Sequence, residues 1–340
     1  MKEALLYEKL ADNRVRCHLC AHFCQVAEGK KGICQVRKNL GGTLYTQVYG
    51  RIISSHVDPV EKKPLYHFHP GSSAYSIATP GCNFHCQWCQ NWEISQMPRE
   101  QHLISGEAAA PEEIVAAARR AASRSIAYTY TEPTVFFEYS LDIARLAREA
   151  GIANVYVTNG YMTGEMLDML YPYLDAANVD LKAFRDETYR RQIGGTLQPV
   201  LDSLKKMKQQ GTWVEVTTLV IPGMNDQAAE LQDIARFIAQ DLGPDTPWHV
   251  SRFFPMYMMT DAPPTPVETL KRAEDIGRAA GLRYVYVGNL HGDTNTHCHR
   301  CSRLLVRRSG YRIAQNVVRG GSCPHCGTPV AGRGMSGAVD

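Results

Sequence analysis

The sequence lacks the features that would place it in a membrane, outside the cell or on a nucleic acid. No stretch approaches the roughly 18 consecutive apolar residues that a membrane-spanning helix needs, and the N-terminus has no apolar segment of signal-peptide length. Charge is almost balanced, with 37 Lys and Arg against 34 Asp and Glu, a net charge of +3, and no dense basic run. We therefore expect a cytoplasmic protein with neither a membrane nor a nucleic acid as partner.

Cysteine, by contrast, is abundant, with 11 residues in three groups. These are the N-terminal quartet (Cys17, Cys20, Cys24 and Cys34), the central triad (Cys82, Cys86 and Cys89) and the C-terminal quartet (Cys298, Cys301, Cys323 and Cys326). Because cytosolic thiols are kept reduced, clustered cysteines favour metal binding over disulfides. Groups of four, three and four predict two closed metal sites flanking an open one.

The central part of the chain has the pattern of an α/β protein. Short β-branched and aromatic runs alternate with helical stretches, such as the one beginning at Pro111, which is typical of βα units around a parallel sheet. The predicted strands are 74–79, 126–131, 154–159, 178–184, 213–221, 248–254 and 284–289. Since six or seven strands are fewer than the eight of a closed barrel, we expect an incomplete (β/α)6-type TIM barrel, with a doubly wound sheet as the alternative.

Three parts are predicted along the chain. Residues 1–70 form a cysteine-containing cap, 71–292 the partial barrel, and 293–340 a cysteine-bounded tail. The end of the cap, 58–70 (DPVEKKPLYHFHP), is dense in charge and histidine just before the first predicted barrel strand. It either caps the active site or is a solvated connection.

The central triad has the spacing CxxxCxxC in TPGCNFHCQWCQNWEIS, directly after the first predicted strand. A β/α barrel carries its chemistry on the loops at the C-terminal ends of its strands. Three thiolates can hold three irons of a cubane and leave the fourth iron open to a bidentate ligand. A zinc site or an unrelated cysteine loop is the alternative, but zinc sites favour CxxC pairs and four ligands.

This spacing, with Trp88 just before the last cysteine, resembles the signature of the radical S-adenosylmethionine (SAM) superfamily. The resemblance implies a [4Fe-4S] cluster on Cys82, Cys86 and Cys89 that cleaves SAM reductively. The product is a 5′-deoxyadenosyl radical that abstracts hydrogen from a substrate. It also implies a reductant protein such as a flavodoxin or a ferredoxin.

The ends of the next strands supply candidate SAM contacts. Thr131, Glu132 and Pro133 resemble the Gly-Gly-Glu-Pro edge that binds the methionine amine, although Tyr130 and Thr131 replace its two glycines. A strand simply ended by the proline is the alternative. Thr158 and Asn159 end the third predicted strand, where they meet ribose hydroxyls or merely form an Asn-Gly turn.

Two later strands add charged candidates. Asp180 and Lys182 are two residues apart and therefore on one face of a strand. They resemble the Asp-x-Lys pair of glycyl-radical activating enzymes, which implies a role in SAM binding and catalysis. His249 or Arg252 on the sixth predicted strand is a candidate contact for the SAM carboxylate, or else a structural polar group.

The two quartets are predicted metal sites of different regularity. In the C-terminal quartet two CxxC pairs stand 21 residues apart, which is the spacing of a structural zinc ribbon. The N-terminal quartet is less regular, and His18 and His22 are alternative ligands. Zinc is the first choice there too, with an auxiliary iron-sulfur cluster as the alternative.

Motifs along nearly the whole chain resemble the radical SAM proteins of the AmmeMemoRadiSam system, relatives of pyruvate formate-lyase activating enzymes. These motifs are CxLCxxxC, GxxGxCxVR, DPVEKKPLYHFHPG, GCNFHCQWCQNWEISQ and the terminal CPHCG. The resemblance implies AMMECR-like and Memo-like partner proteins. Three hypotheses follow: a radical SAM enzyme for an unidentified substrate, a glycyl-radical activating enzyme, or a zinc-ribbon binding module with a non-catalytic triad.

Overall fold

The computed structural model describes residues 1–290 and 294–337. The N-terminal part forms two small antiparallel sheets, with strand orders β1-β6-β5 and β2-β3-β4. The strands of this part are β1 (Lys2–Glu3), β2 (Tyr7–Lys9), β3 (Val15–Cys17), β4 (Gln25–Val26), β5 (Arg37–Leu40), β6 (Thr43–Thr46) and β7 (Arg51–Ile52). The N-terminal quartet therefore lies on the chain between β3 and β5.

The central part is one eight-stranded sheet in the order β16-β15-β14-β13-β12-β11-β9-β8. The strands after β7 are β8 (Ser54–Pro59), β9 (Ser73–Ala78), β10 (Glu107–Ala108), β11 (Ser125–Tyr128), β12 (Ala153–Thr158), β13 (Ala176–Asp180), β14 (Trp213–Val220), β15 (Trp248–Arg252) and β16 (Val285–Gly288). Strands β9 and β11 to β16 run parallel, β8 pairs antiparallel with β9, and β10 pairs with β7 outside this sheet.

The predicted α/β fold is confirmed, since each of the seven predicted strands falls on one of these parallel strands. Strands β8 and β16 end the sheet, and no pairing joins them within the described residues, so the sheet is not closed by hydrogen bonds. Strand β8, from the predicted cap, is part of this sheet.

Helices follow most of the parallel strands. They are α1 (Trp92–Ser95), α2 (Met97–Glu100), α3 (Pro111–Arg120), α4 (Phe137–Glu149), α5 (Gly164–Leu170), α6 (Asp186–Thr188), α7 (Gln198–Gln209), α8 (Ala228–Phe237) and α9 (Val267–Ala279). The predicted start at Pro111 is confirmed. Proline suits the first turn of a helix because its missing N–H would have no partner there, and Glu113 accepts the Ala110 N–H at 2.6 Å.

The segment between β8 and β9 fills the N-terminal end of the sheet. Val60, Leu65 and Phe68 are buried there against alanines and valines of the strands. The buried carboxylate of Glu215 on β14 accepts the backbone N–H groups of Tyr66 and His67 at 3.0 and 2.7 Å. The alternative of a solvated connection is therefore wrong, because apolar burial and backbone bonds hold this segment inside the fold.

The tail carries a separate small sheet, β17 (Thr296–His297), β18 (Leu304–Ser309) and β19 (Arg312–Asn316), in the order β17-β18-β19. Arg308 donates to the Tyr66 carbonyl at 2.9 Å and attaches the tail to the segment below the main sheet. The predicted boundary at 292/293 lies outside the described residues. No helix among the described residues is long and apolar enough to cross a membrane.

Candidate functional site

The central triad lies on the loop that follows β9, at the carboxyl end of the parallel strands. Cys82, Cys86 and Cys89 all line one cavity of about 500 Å³, which also has Trp88 in its wall. No fourth cysteine lines this cavity among the described residues. An iron-sulfur cluster bound here would therefore have three thiolate ligands from the protein and one position open to the cavity.

The surroundings of the triad suit bound thiolates. Burial raises the pKa of the Cys82 thiol well above its ordinary value, and burial raises that of Cys86 to about 12 in spite of the nearby Lys182. Free thiols here would stay protonated, so a metal has to deprotonate them. Donors already point at sulfur, because the Phe84 N–H lies 3.4 Å and the Asn159 amide 3.8 Å from Cys82 Sγ.

Sulfur spacing tests whether the triad fits a single ion or a cluster. The only set of three or more metal-ligating atoms within 4.8 Å of one another, in the part of the chain that the structure describes, is the C-terminal quartet. The triad sulfurs are therefore more widely spread than ligands of one zinc ion, whose sulfurs would be about 3.8 Å apart at a Zn–S distance of about 2.3 Å. The triad fits a multi-iron cluster.

Glu132 joins the ends of two strands beside the triad. Its Oε1 accepts the Thr158 hydroxyl at 2.6 Å and its Oε2 accepts the Asn159 N–H at 2.8 Å. Burial raises the pKa of this carboxyl, although these donors oppose the rise. Asn159 in turn donates to the Asn83 side chain at 2.8 Å, on the cysteine loop. Glu132, Thr158 and Asn159 thus line the cavity as one bonded unit with the cysteine loop.

The edge around Thr131 keeps the backbone path that glycine would allow. Tyr130 has φ of 65°, in the left-handed region that glycine adopts without strain. Its carbonyl accepts the Asn91 amide at 2.6 Å, and its phenol donates to Asp58. Thr131 donates its hydroxyl to the Thr79 carbonyl at 2.7 Å. These contacts hold Tyr130 in a conformation that costs about 1–2 kcal/mol for a residue with a side chain.

The structure brings Asp180 and Lys182 together in the wall of the cavity. Lys182 Nζ donates to Asp180 Oδ2 at 2.8 Å. Burial opposes the charge on Lys182, but the carboxylate of Asp180 and the nearby Cys86 raise the pKa of the ammonium above its usual value. The cavity therefore carries a permanent charge pair opposite the cysteine loop.

Other predicted contacts are placed away from the cavity wall. Pro133 is buried at the start of a short 3-10 helix, Pro133–Phe136. His249 bonds to buried Glu215 at 2.7 Å, and Arg252 donates to the Thr265 carbonyl at 2.8 Å. None of the three lines the cavity. Side chains of one strand can reach the mouth or the buried end of a sheet, and strand position alone does not distinguish these ends.

A charged cluster opposite the cysteine loop was missed in the sequence. Lys63 Nζ donates to Asp58 Oδ2 at 2.6 Å and lies 4.3 Å from the centre of the Tyr130 ring. Lys62, Lys63 and Tyr130 line the cavity, and Lys63 is only 2% exposed. Burial lowers the pKa of Lys63 to about 8, against the pull of Asp58. The charge density of DPVEKKPLYHFHP was the available signal, but it does not tell which charges point inward.

The two quartets have different geometries. In the C-terminal quartet Cys298 and Cys326 are 3.6 Å apart at sulfur, and Cys301 and Cys323 are 3.7 Å apart. The four cysteines of the N-terminal quartet surround a separate small cavity.

A parallel β/α sheet with a three-cysteine loop after its first parallel strand, open to a large cavity, defines a class of cluster-binding enzymes. The Radical SAM superfamily model matches residues 76–238. An uncharacterized protein of Methanocaldococcus jannaschii is 45% identical over 334 residues, which cover 97% of this chain and 99% of that protein. The chain belongs to the radical SAM superfamily and is a radical SAM enzyme, a class that uses a [4Fe-4S] cluster and SAM.

More distant relatives agree with this assignment. The pyruvate formate-lyase-activating enzyme of Clostridium pasteurianum is 23% identical over 46% of this chain and 66% of that enzyme. Among solved structures, a radical SAM methyltransferase from Sphaerobacter thermophilus has a TM-score of 0.50 at 21% identity, over 65% of this chain and 67% of that one. SuiB of Streptococcus suis bound to S-adenosylmethionine has 0.51 at 13%, over 68% and 53%. The two structures show the shared fold.

Proposed function

We propose that Cys82, Cys86 and Cys89 hold the [4Fe-4S] cluster and that the adjoining cavity binds SAM together with a substrate that loses a hydrogen atom. The carrying observation is that these three cysteines, with no fourth among the described residues, line the same cavity as Asp180 and Lys182. When bound, the cluster supplies the electron that cleaves SAM to methionine and a 5′-deoxyadenosyl radical.

The residues around the cavity position SAM in this proposal. Thr131 and the Glu132 edge receive the methionine amine, since the buried carboxylate and the neighbouring carbonyls offer acceptors to an ammonium group. The Asp180–Lys182 pair binds polar groups of SAM with one acceptor and one donor. Thr158 and Asn159 support this wall through their bonds to Glu132 and approach the ribose.

The remaining wall of the cavity is available to the substrate. Lys62 and Lys63 present cationic groups, and Tyr311 reaches the cavity from the turn between β18 and β19 of the tail. The buried position of Lys63 excludes water from its ion pair with Asp58 and strengthens electrostatic contacts there. A substrate with an anionic group suits this side of the cavity.

The partners are also part of the proposal. A flavodoxin or a ferredoxin would supply electrons in a cytoplasmic setting, as is general for radical SAM enzymes. AMMECR-like and Memo-like proteins would act with this enzyme, which is supported by the resemblance of its motifs to the AmmeMemoRadiSam system. Zinc in the C-terminal quartet is supported by sulfur separations of 3.6 and 3.7 Å, close to the roughly 3.8 Å of a tetrahedral zinc site.

Activation of a glycyl-radical enzyme is the second candidate. It is favoured by the Asp180-Leu181-Lys182 sequence and its ion pair, and by the activating enzymes among the relatives. Incubation with candidate partner proteins, deuterated at glycine, distinguishes the two. Deuterium in 5′-deoxyadenosine from a glycine-labelled protein would favour activation.

The proposed chemistry is tested by anaerobic reconstitution with iron and sulfide, reduction with dithionite, and chromatography for 5′-deoxyadenosine after SAM is added. The unaltered chain should form 5′-deoxyadenosine, and Cys86→Ala should form none while keeping its circular dichroism spectrum. Cys323→Ala is the matched control, because it removes a thiol that does not line the cavity, and it should keep SAM cleavage. Cleavage retained in Cys86→Ala would refute the assignment.

A further inference from the structure

The N-terminal quartet forms a site that the central chemistry does not use. Its four thiols line one small cavity between the N-terminal sheets and the main core, together with Arg37 and Val135. All four thiols are free, and two of them, Cys20 and Cys34, have a pKa raised by burial. Four convergent buried thiols around an internal space are a metal site.

Sulfur spacing separates the N-terminal quartet from the C-terminal one. In the C-terminal quartet all four sulfurs lie within 4.8 Å of one another, which suits one tetrahedral ion. In the described part of the chain no other three ligand atoms lie this close, so the sulfurs of the N-terminal quartet are spread more widely. The same holds for the central triad. A cubane binds each thiolate on a different iron and therefore needs this wider spacing.

Arg37 provides an independent observation at the same cavity. The residue is 2% exposed, and its Nη2 pairs with the buried carboxylate of Glu138. Its Nε and Nη1 are buried without any hydrogen-bond partner, although the guanidinium lies in the cavity wall. An unmet buried donor costs about 1–3 kcal/mol, so these two N–H groups indicate an acceptor that belongs in the cavity. The bridging sulfides of a cluster are such acceptors.

The quartet loop packs directly on the loop of the central triad. His22 Nε2 lies 2.8 Å from the Asn83 carbonyl, one residue after Cys82. Gly81, one residue before Cys82, is so close that an added Cβ would lie 3.5 Å from the Cys34 carbonyl and 2.7 Å from Val36 Cγ1. One layer of residues therefore separates the two cysteine sets, a separation that electrons can cross.

From the sulfur spacing and the unpartnered donors of Arg37, we infer that Cys17, Cys20, Cys24 and Cys34 bind a second [4Fe-4S] cluster and that this cluster passes electrons to the central triad. One electron enters from a reduced flavodoxin or ferredoxin and the same electron leaves toward the triad, so the second cluster returns to its starting oxidation state. The metal assignment stands on the quartet alone. The relay role rests on the proposed function.

The metal assignment is tested in a chain with Cys82, Cys86 and Cys89 all changed to alanine. After anaerobic reconstitution this triad variant should keep about four irons and four sulfides per chain, about half of the unaltered value, with the Mössbauer spectrum of a cubane. Changing Cys20→Ala and Cys34→Ala in addition should remove this iron. Changing Cys301→Ala and Cys323→Ala instead should leave it. Zinc in place of iron in the triad variant would overturn the inference.

The relay is tested with the Cys20→Ala and Cys34→Ala changes in a chain whose central triad is intact. With reduced flavodoxin as donor, 5′-deoxyadenosine formation should fall at least about tenfold, whereas dithionite, a small reductant, should restore it. Equal loss with both reductants would overturn the relay. An unaltered chain that binds only about four irons and still cleaves SAM would overturn the second cluster but keep the proposed function; four irons in the triad variant without SAM cleavage by the unaltered chain would do the reverse.

Discussion

The two quartets at opposite ends of the chain contain the same number of thiols but are built differently. The C-terminal quartet belongs to a small apolar cluster of its own, formed by tail residues such as Leu305, Val306 and Val318. The N-terminal quartet packs with the main core, in which Cys17 is itself buried. A metal in the tail would therefore stabilise only the tail, whereas a metal near the N-terminus joins two parts of the molecule.

The chain paths explain this difference. In the tail each CxxC pair lies on a tight turn, where the Ser302 N–H bonds to the Cys298 carbonyl at 2.8 Å and the Gly327 N–H to the Cys323 carbonyl at 2.9 Å. Two such turns facing each other bring four sulfurs close together. In the N-terminal part the thiols come from longer irregular segments between β3 and β5, which leave space among them. Loop geometry thus selects the size of the group that is bound.

The largest expected effect concerns the tail. Cys323→Ser should remove zinc and unfold residues 294–337, because structural zinc contributes about 10 kcal/mol or more to folding in small zinc domains. Limited proteolysis with zinc analysis should show cleavage confined to the tail, and exposed Ser309→Ala is the control. A tail that still resists protease without zinc would mean that its apolar cluster suffices.

An intermediate effect is expected at Arg37, which has no equivalent beside the C-terminal quartet among the described residues. Arg37→Met should lower the free energy of unfolding by about 3–5 kcal/mol in urea denaturation, because it leaves Glu138 buried without its cation. Changing Glu138→Leu as well should recover most of this loss. About 1 kcal/mol should remain, since Glu138 also accepts the Leu5 N–H at 2.9 Å. A single variant as stable as the unaltered chain would show that the pair is not important for the N-terminal attachment.

The smallest expected effect is a pH dependence of the attachment of the tail. His67 bonds to the Tyr286 hydroxyl and to the Ala331 carbonyl, both at 2.6 Å, and burial lowers its pKa from 6.5 to about 4. Between these pH values the unfolded chain binds a proton that the folded chain does not. Stability should therefore fall as the pH drops from 6.5 toward 4, by at most about 1.4 kcal/mol per pH unit.

Urea midpoints at several pH values measure this slope. His67→Gln is the matched variant, because its amide keeps a donor and an acceptor but does not titrate, and its midpoint should depend less on pH. If both chains show the same slope, other groups such as metal-bound thiols cause the acid sensitivity.

Most of the fold could be predicted because its signals are local. Each predicted barrel strand lies in the parallel sheet, since β-branched runs separated by helical patterns specify βα units. The triad was evident from spacing alone. Asp58, Lys63 and Tyr130 were not, because they come from β8, the buried segment after it and the end of β11, which meet only in the folded chain. His249 shares its strand with predicted cavity residues but bonds to Glu215 at the other end of the sheet.

By itself the sequence determined the parallel α/β fold, the three cysteine groups and the class of chemistry at the central triad. These depend on periodicity and on the spacing of thiols along a short loop, and both are properties of neighbouring residues. Only the tertiary structure decided how far apart the sulfurs of each quartet stand, that Arg37 faces one of them, and that Lys63 faces the cavity. Those distances depend on how remote segments pack, and sequence spacing does not encode the space left between them.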